Sequence, residues 1–192
     1  MIRKLAVAAV LISSAIPAAA LADPPSPADV DNASRLCQGQ RAAMPAGAFK
    51  LAYGTNRNHS NAFGKCVSKL ARAQQQDQQN AAQACRAEQS QSDADFAAAH
   101  GGKTFQQFYG TNKNGRNAFG RCVSTKAKAA SQEQQQATIN AAKSCRAEQK
   151  ASDFAASHGG KSFKDFYGTN ANKSNAFGKC VSKKAKELQA QP

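Results

Sequence analysis

Apolar residues fall at helical spacing along much of this chain, and the stripe they draw is thin. Between Asn117 and Cys145 it passes through Phe119, Val123, Ala127, Ala130, Ala137 and Ala141, recurring mostly every three or four residues, with a polar interruption at Gln134. No glycine or proline falls between Cys66 and Cys85 or between Cys122 and Cys145, and both stretches are rich in Ala and Gln, so each is expected to be a continuous helix. The glutamine runs at Gln74 to Gln79 and Gln132 to Gln136 are the places where these helices would fray, if anywhere.

A second pattern is short and aromatic. Phe163, Phe166 and Tyr167 stand at i, i+3 and i+4, which places three rings on one face of a short helix. Ser162-Phe-Lys-Asp165 and Thr104-Phe-Gln-Gln107 have the form of capping boxes that start such helices. Upstream, a helix running from Cys145 towards Phe154 is expected to stop at His158-Gly159-Gly160, where glycine accepts the left-handed turn and the histidine faces the negative end of the helix dipole. Downstream, Asn175 is placed to cap the next long helix.

These patterns occur three times. The copies open at Cys37, Cys85 and Cys145, carry Tyr53-Gly-Thr-Asn56, Tyr109-Gly-Thr-Asn112 and Tyr167-Gly-Thr-Asn170, and close on Phe63-Gly-Lys-Cys66, Phe119-Gly-Arg-Cys122 and Phe177-Gly-Lys-Cys180. The expected fold is all-α: an array of three disulfide-stapled helical-hairpin repeats linked by long Ala/Gln-rich helices. Residues 31–73, 74–130 and 131–192 form the repeats, behind a signal peptide at 1–22 and a Pro-rich flexible segment at 23–30. The first copy has Met44-Pro-Ala-Gly47 in place of His-Gly-Gly-Lys, and Ala52 in place of Phe108 and Phe166. It reads as an atypical terminal cap with one side facing solvent.

Residues 1–22 combine Arg3 and Lys4, an apolar run from Leu5 to Ile16, and Ala20-Leu-Ala22 before Asp23, the form of a secretory signal. The run is too short to span a bilayer, and no later stretch is apolar enough, so a secreted protein, extracellular or periplasmic, with no transmembrane segment is expected. Export puts all six cysteines in an oxidising compartment. A helix joining Cys66 to Cys85 would hold them about 28 Å apart, well beyond the roughly 7 Å Cα separation that a bridge tolerates. The same applies to Cys122 and Cys145. One bridge within each copy follows: Cys37 to Cys66, Cys85 to Cys122 and Cys145 to Cys180.

The formal charge is +14, falling to +12 once Arg3 and Lys4 are removed with the signal. Such a chain attracts polyanions, either envelope polysaccharide or nucleic acid bound non-specifically. The cations gather around the aromatic loops of the second and third copies, and Arg116, Arg121, Lys161, Lys173, Lys179 and Lys183 are the candidate contacts. Tyr109, Asn112, Asn114, Tyr167, Asn170 and Asn172 are candidate loop contacts, since amides beside an exposed tyrosine suit sugars or peptide backbones.

Other chemistries find little support. The loop Asn112-Lys-Asn-Gly-Arg-Asn117 has the alternation of a calcium loop but no carboxylate. His100 and His158 are single histidines in equivalent places, and the cysteines are assigned to bridges, so no zinc site forms. Glu88 with Asp93, and Glu148 with Asp153, lie five residues apart in helical sequence, a poor spacing for paired acids, and Arg86 and Arg146 are nearby charge partners. No nucleophile elbow or phosphate loop occurs. The expectation is a secreted, non-enzymatic structural or binding protein that needs no cofactor and engages anionic polymers at or outside the cell surface. The alternatives are a membrane-active, toxin-like basic helical protein and, below it, a cell-envelope hydrolase.

Overall fold

The computed structural model describes residues 24–190. The signal expected at 1–22 lies outside the described residues. The first helix, α1 (Pro27–Ala43), begins inside the segment expected to be flexible. Ser26 caps it: its Oγ accepts from the Asp29 amide at 3.2 Å, and the Asp29 carboxylate accepts from the Ser26 amide at 3.1 Å. Proline at the first helical position loses no hydrogen bond there, which is why Pro27 starts a helix in place of extending a linker.

The chain is all-helical among the described residues. A short α2 (Ala48–Tyr53) leads to the long α3 (Ala62–Gln89). After it come α4 (Asp93–Ala99) and α5 (Phe105–Tyr109), then α6 (Ala118–Lys150). The chain ends with α7 (Phe154–Ser157), α8 (Phe163–Tyr167) and α9 (Ala176–Gln189). Both glutamine runs lie inside unbroken helix, at 28 residues for α3 and 33 for α6. At 1.5 Å per residue α6 is about 50 Å long. The third-copy helix expected to run from Cys145 to His158 instead breaks after Lys150, where Ala151 is extended (φ −68°, ψ 126°), and resumes at Phe154. The break turns Phe154 into the core, where it is 5 % exposed.

Three disulfides tie the long helices together: Cys37–Cys66 joins α1 to α3, Cys85–Cys122 joins α3 to α6, and Cys145–Cys180 joins α6 to α9. All six sulfurs belong to fully buried residues. Helix α3 runs back along α1, as Cys66 meets Cys37 and, further on, the Gln78 amide donates to Asp29 at 2.9 Å. Helix α6 packs on α3 and α9 packs on α6.

The core is divided. The larger cluster draws from the first and third copies together and includes Phe49, Tyr53, Phe154, Phe163, Tyr167 and Phe177, as well as Leu70 and Ile139. The second copy keeps its own small cluster of Cys85, Phe96, Phe105, Ala118 and Cys122. The apolar stripe of α6 is divided with it. Ala137, Ala141 and Ala142 are buried in the larger cluster, whereas Val123, Ala127 and Ala130 remain half-exposed.

The expectation of a solvent-facing first copy meets a different arrangement. Helix α2 packs on α9 as well as on α3, and a Cβ on Gly178 would lie 3.1 Å from the Ala52 carbonyl oxygen and 3.3 Å from that of Leu51. Ala52, where the other copies carry phenylalanine, is partly buried against the larger core.

Candidate functional site

Each aromatic unit is assembled locally. In the second copy the Thr104 hydroxyl accepts from the Gln107 amide while the Gln107 side chain accepts from the Thr104 amide, a closed capping box that starts α5. In the third copy the Ser162 hydroxyl accepts from the Asp165 amide at 3.2 Å to start α8. The preceding turns stop as expected. Gly102 and Gly160 donate to the carbonyls of Ala97 and Ala155 at 2.8 Å, with φ of 78° and 76°, values that glycine adopts without strain. His100 and His158 close the same turns: their rings stack at 3.8 Å on Phe96 and Phe154, and each Nδ1 sits 2.9 or 2.8 Å from the carbonyl of that phenylalanine.

The tyrosines are not free contacts. Tyr109 donates to Glu88 at 2.8 Å and Tyr167 donates to Glu148 at 2.9 Å; Tyr167 is 8 % exposed. The opposite carboxylate oxygens take Lys126 at 2.8 Å and Lys184 at 2.7 Å. Arg86 and Arg146, the charge partners suggested by sequence, are not used. Arg146 instead donates to Gln149 and to the Ala46 carbonyl, both at 2.8 Å, with its guanidinium 5.1 Å from the Phe177 ring. Burial alone would raise the Glu88 carboxyl, but the Lys126 and Tyr109 hydrogen bonds outweigh it and hold Glu88 below the usual carboxylate range. Burial, then its bond to Glu88, raises Tyr109, and Lys126 is raised first by its own bond to Glu88. Burial, then the bond to Glu148, raises Tyr167. Both acids are thus engaged by a lysine and a tyrosine.

The first copy rewrites this cluster as a set. The Glu position, three residues after the opening cysteine, holds Gln40, and the Lys position, four after the closing one, holds Leu70. Tyr53 donates to Gln40. Gln40 is fully buried and Leu70 is 5 % exposed. An ion pair there would lose its hydration at a cost of several kcal/mol per ion, so an amide and an alkyl chain take its place. Burial pushes the Tyr53 hydroxyl up to about 12.

The Asn-rich loops use their polar atoms on themselves. Asn175, expected to cap α9, makes no side-chain cap bond; its Oδ1 accepts from the Thr169 amide at 3.0 Å and its Nδ2 donates to the Thr169 hydroxyl at 2.8 Å. Asn117 and Asn61 cross-tie their loops the same way. Asn114 and Asn172 accept from backbone amides two residues on, at 3.2 and 3.1 Å, and the Asn170 amide donates to Ser174 at 3.0 Å. Asn112 lies exposed at the loop's start, where its backbone amide is 3.5 Å from Asn117 Oδ1.

The candidate cations divide. Arg116, Arg121, Lys161 and Lys179 are exposed, and among the described residues no carboxylate lies within 4.0 Å of them. Lys183 is exposed with its ammonium 5.6 Å over the Phe166 ring. Lys173 is half-buried in a left-handed conformation (φ 53°), and its ammonium donates to the Gly168 carbonyl at 3.2 Å, so it holds its own loop. The exposed rings are Phe108 and Phe166, at 45 % and 39 %, although Phe166 shares a helix face with the buried Phe163 and Tyr167.

Among the described residues no three His, Cys, Asp or Glu side chains gather as a metal site, all six cysteines are bridged, and no helix is long and apolar enough to cross a membrane. The protein is disulfide-bridged and all-helical among the described residues, with a formal charge of +14. No known protein family matches the chain, and neither a curated protein nor a solved structure is significantly similar to it.

Proposed function

We propose that this chain is a secreted, non-enzymatic repeat protein of three disulfide-stapled helical hairpins that engages anionic polymers at or outside the cell surface. The observation that carries this reading is the contrast between acids and bases around the second and third aromatic units. Glu88 and Glu148 are each tied to a lysine and a tyrosine, while Arg116, Arg121, Lys161 and Lys179 stand exposed with no carboxylate within 4.0 Å among the described residues. Cations presented on two bridged units can engage one polymer together, so that binding exceeds any single contact.

The test is binding of the oxidised protein to a polyphosphate probe and to an acidic polysaccharide across a salt series. If four cations engage, affinity for the polyphosphate falls about a hundredfold between roughly 50 and 200 mM salt. Replacing Arg116, Arg121, Lys161 and Lys179 together by glutamine flattens that dependence. Binding that ignores salt, or that survives this variant unchanged, refutes the reading.

A further inference from the structure

The three copies offer an internal comparison. In the third, the α9 face of Phe177, Gly178, Val181 and Ala185 is covered: Phe177, Val181 and Ala185 are buried, and the backbone of α2 lies against Gly178. In the second, the residues at the same offsets from the closing cysteine, Phe119, Gly120, Val123 and Ala127, are half-buried or exposed, and a Cβ on Gly120 would meet nothing within 4 Å. This open face forms one wall of a groove of about 690 Å³ bounded by α1, α3 and α6. Leu36 of α1 and Ala82 of α3 complete its apolar lining.

Two features say what fits. The groove is long: its α6 wall extends from Phe119 to Gln132, roughly 20 Å at the helical rise, which is the reach of a long alkyl chain. It is also charged at the edge. Arg35 and Lys128 line it, both are exposed, and neither has a carboxylate within 4.0 Å among the described residues; Arg35 donates only to the neutral Asn32. Asn32, Gln74, Gln78, Ser124, Ser131 and Gln132 share the lining, but the surface it exposes is mainly apolar, and a cleft of that character in this volume range is the usual form of a small-molecule site. Guanidinium at its edge matches the fork of a carboxylate.

We propose that the groove between α1, α3 and α6 binds a free long-chain fatty acid, with its alkyl chain along Phe119, Val123 and Ala127 and its carboxylate at Arg35 and Lys128. This binding is separate from polyanion engagement, since none of the cations assigned to polymers lines the groove, and either can fail without the other.

The experiment is displacement of a fluorescent long-chain fatty acid from the oxidised protein by octanoate, dodecanoate, hexadecanoate and hexadecanol. Each added methylene that enters the groove is expected to tighten binding about fourfold, until the groove is full. Gly120→Leu, whose side chain projects into the groove, is expected to weaken hexadecanoate at least tenfold with the helical circular dichroism unchanged. Gly64→Leu, at an equally open site outside the groove, leaves it unaltered. Arg35→Gln weakens hexadecanoate and not hexadecanol. The proposal is overturned if hexadecanoate displaces nothing, if affinity ignores chain length, or if Gly120→Leu binds as the native protein does. It is equally overturned if only anionic phospholipid vesicles bind, or if Gly120→Leu abolishes a concentration-dependent dimer with no fatty-acid binding in either form, since the groove would then seat a lipid surface or a second copy.

Discussion

Gly64, Gly120 and Gly178 occupy the same third position of α3, α6 and α9, yet only one of them is in contact with another helix. Alanine in place of helical glycine stabilises by about 0.5–1 kcal/mol where nothing obstructs the methyl group. For a chain of this size each kcal/mol moves the melting temperature by about 2–4 °C. Gly64→Ala and Gly120→Ala, with nothing within 4 Å of the new Cβ, should therefore each raise Tm by about 1–4 °C. At Gly178 the methyl would meet the carbonyl oxygens of Ala52 and Leu51 at 3.1 and 3.3 Å. Those atoms are backbone, in a helix packed on both α3 and α9, so the contact offsets the gain and Gly178→Ala should leave Tm level or lower. Leucine sharpens the contrast. Overpacking costs about 1–3 kcal/mol, so Gly178→Leu should melt well below Gly120→Leu. Thermal melts of the oxidised proteins followed by circular dichroism, with denaturant midpoints as a second measure, decide the matter. If Gly178→Leu melts no lower than Gly120→Leu, the close seating of α2 on α9 is wrong.

Other consequences concern titration and the bridges. Glu88, held below its ordinary value of 4.5, contributes stability that is present above that pH and lost as pH falls through the lowered folded value; Glu88→Gln should cost about 1 kcal/mol or less at neutral pH and converge with the native protein in acid, read from urea midpoints. Burial raises Asp77 from 3.8 despite a hydrogen bond from Ser131, so its ionisation opposes folding as pH rises above that value, and Asp77→Asn should be the more stable form at neutral pH and equal to the native protein below it. Closing loops of 29, 37 and 35 residues stabilises by about 3–4 kcal/mol each in the chain-entropy treatment, so reduction should abolish the cooperative melt. Replacing Cys85 and Cys122 by serine should raise amide exchange selectively from Gln91 to Asn117, because that small cluster shares no residues with the larger core.

Local features and the three bridges, Cys37–Cys66, Cys85–Cys122 and Cys145–Cys180, were legible in sequence; which copy packs against which was not. The glycine-free stretch from Cys122 to Cys145 announced a continuous helix, and helical rise alone forbade its two cysteines from pairing. The double glycines after His100 and His158 marked left-handed turns that form as such. Asn175 misled because a residue before a helix has two uses, capping it or tying the loop behind it, and the threonine six residues upstream decides between them. The tyrosines misled because the partner that buries their hydroxyls lies on a different helix, although Gln40 and Leu70 replacing Glu and Lys together was a sign that those positions meet. The union of the first and third copies in one core, and with it the open groove on the second, depends on which copy packs against which, and no local period encodes that.

The placement of the bridges also governs how the molecule would respond to being pulled. Under tension between its ends, load passes across each disulfide, so the loops carrying α2, α4 with α5, and α7 with α8 are bypassed and bear no force. Only the helical spans from Cys66 to Cys85 and from Cys122 to Cys145, with the two tails, are left to lengthen. A molecule anchored at both ends would thus yield by a short, fixed distance and keep its aromatic units folded, whereas the reduced chain would pay out its full contour.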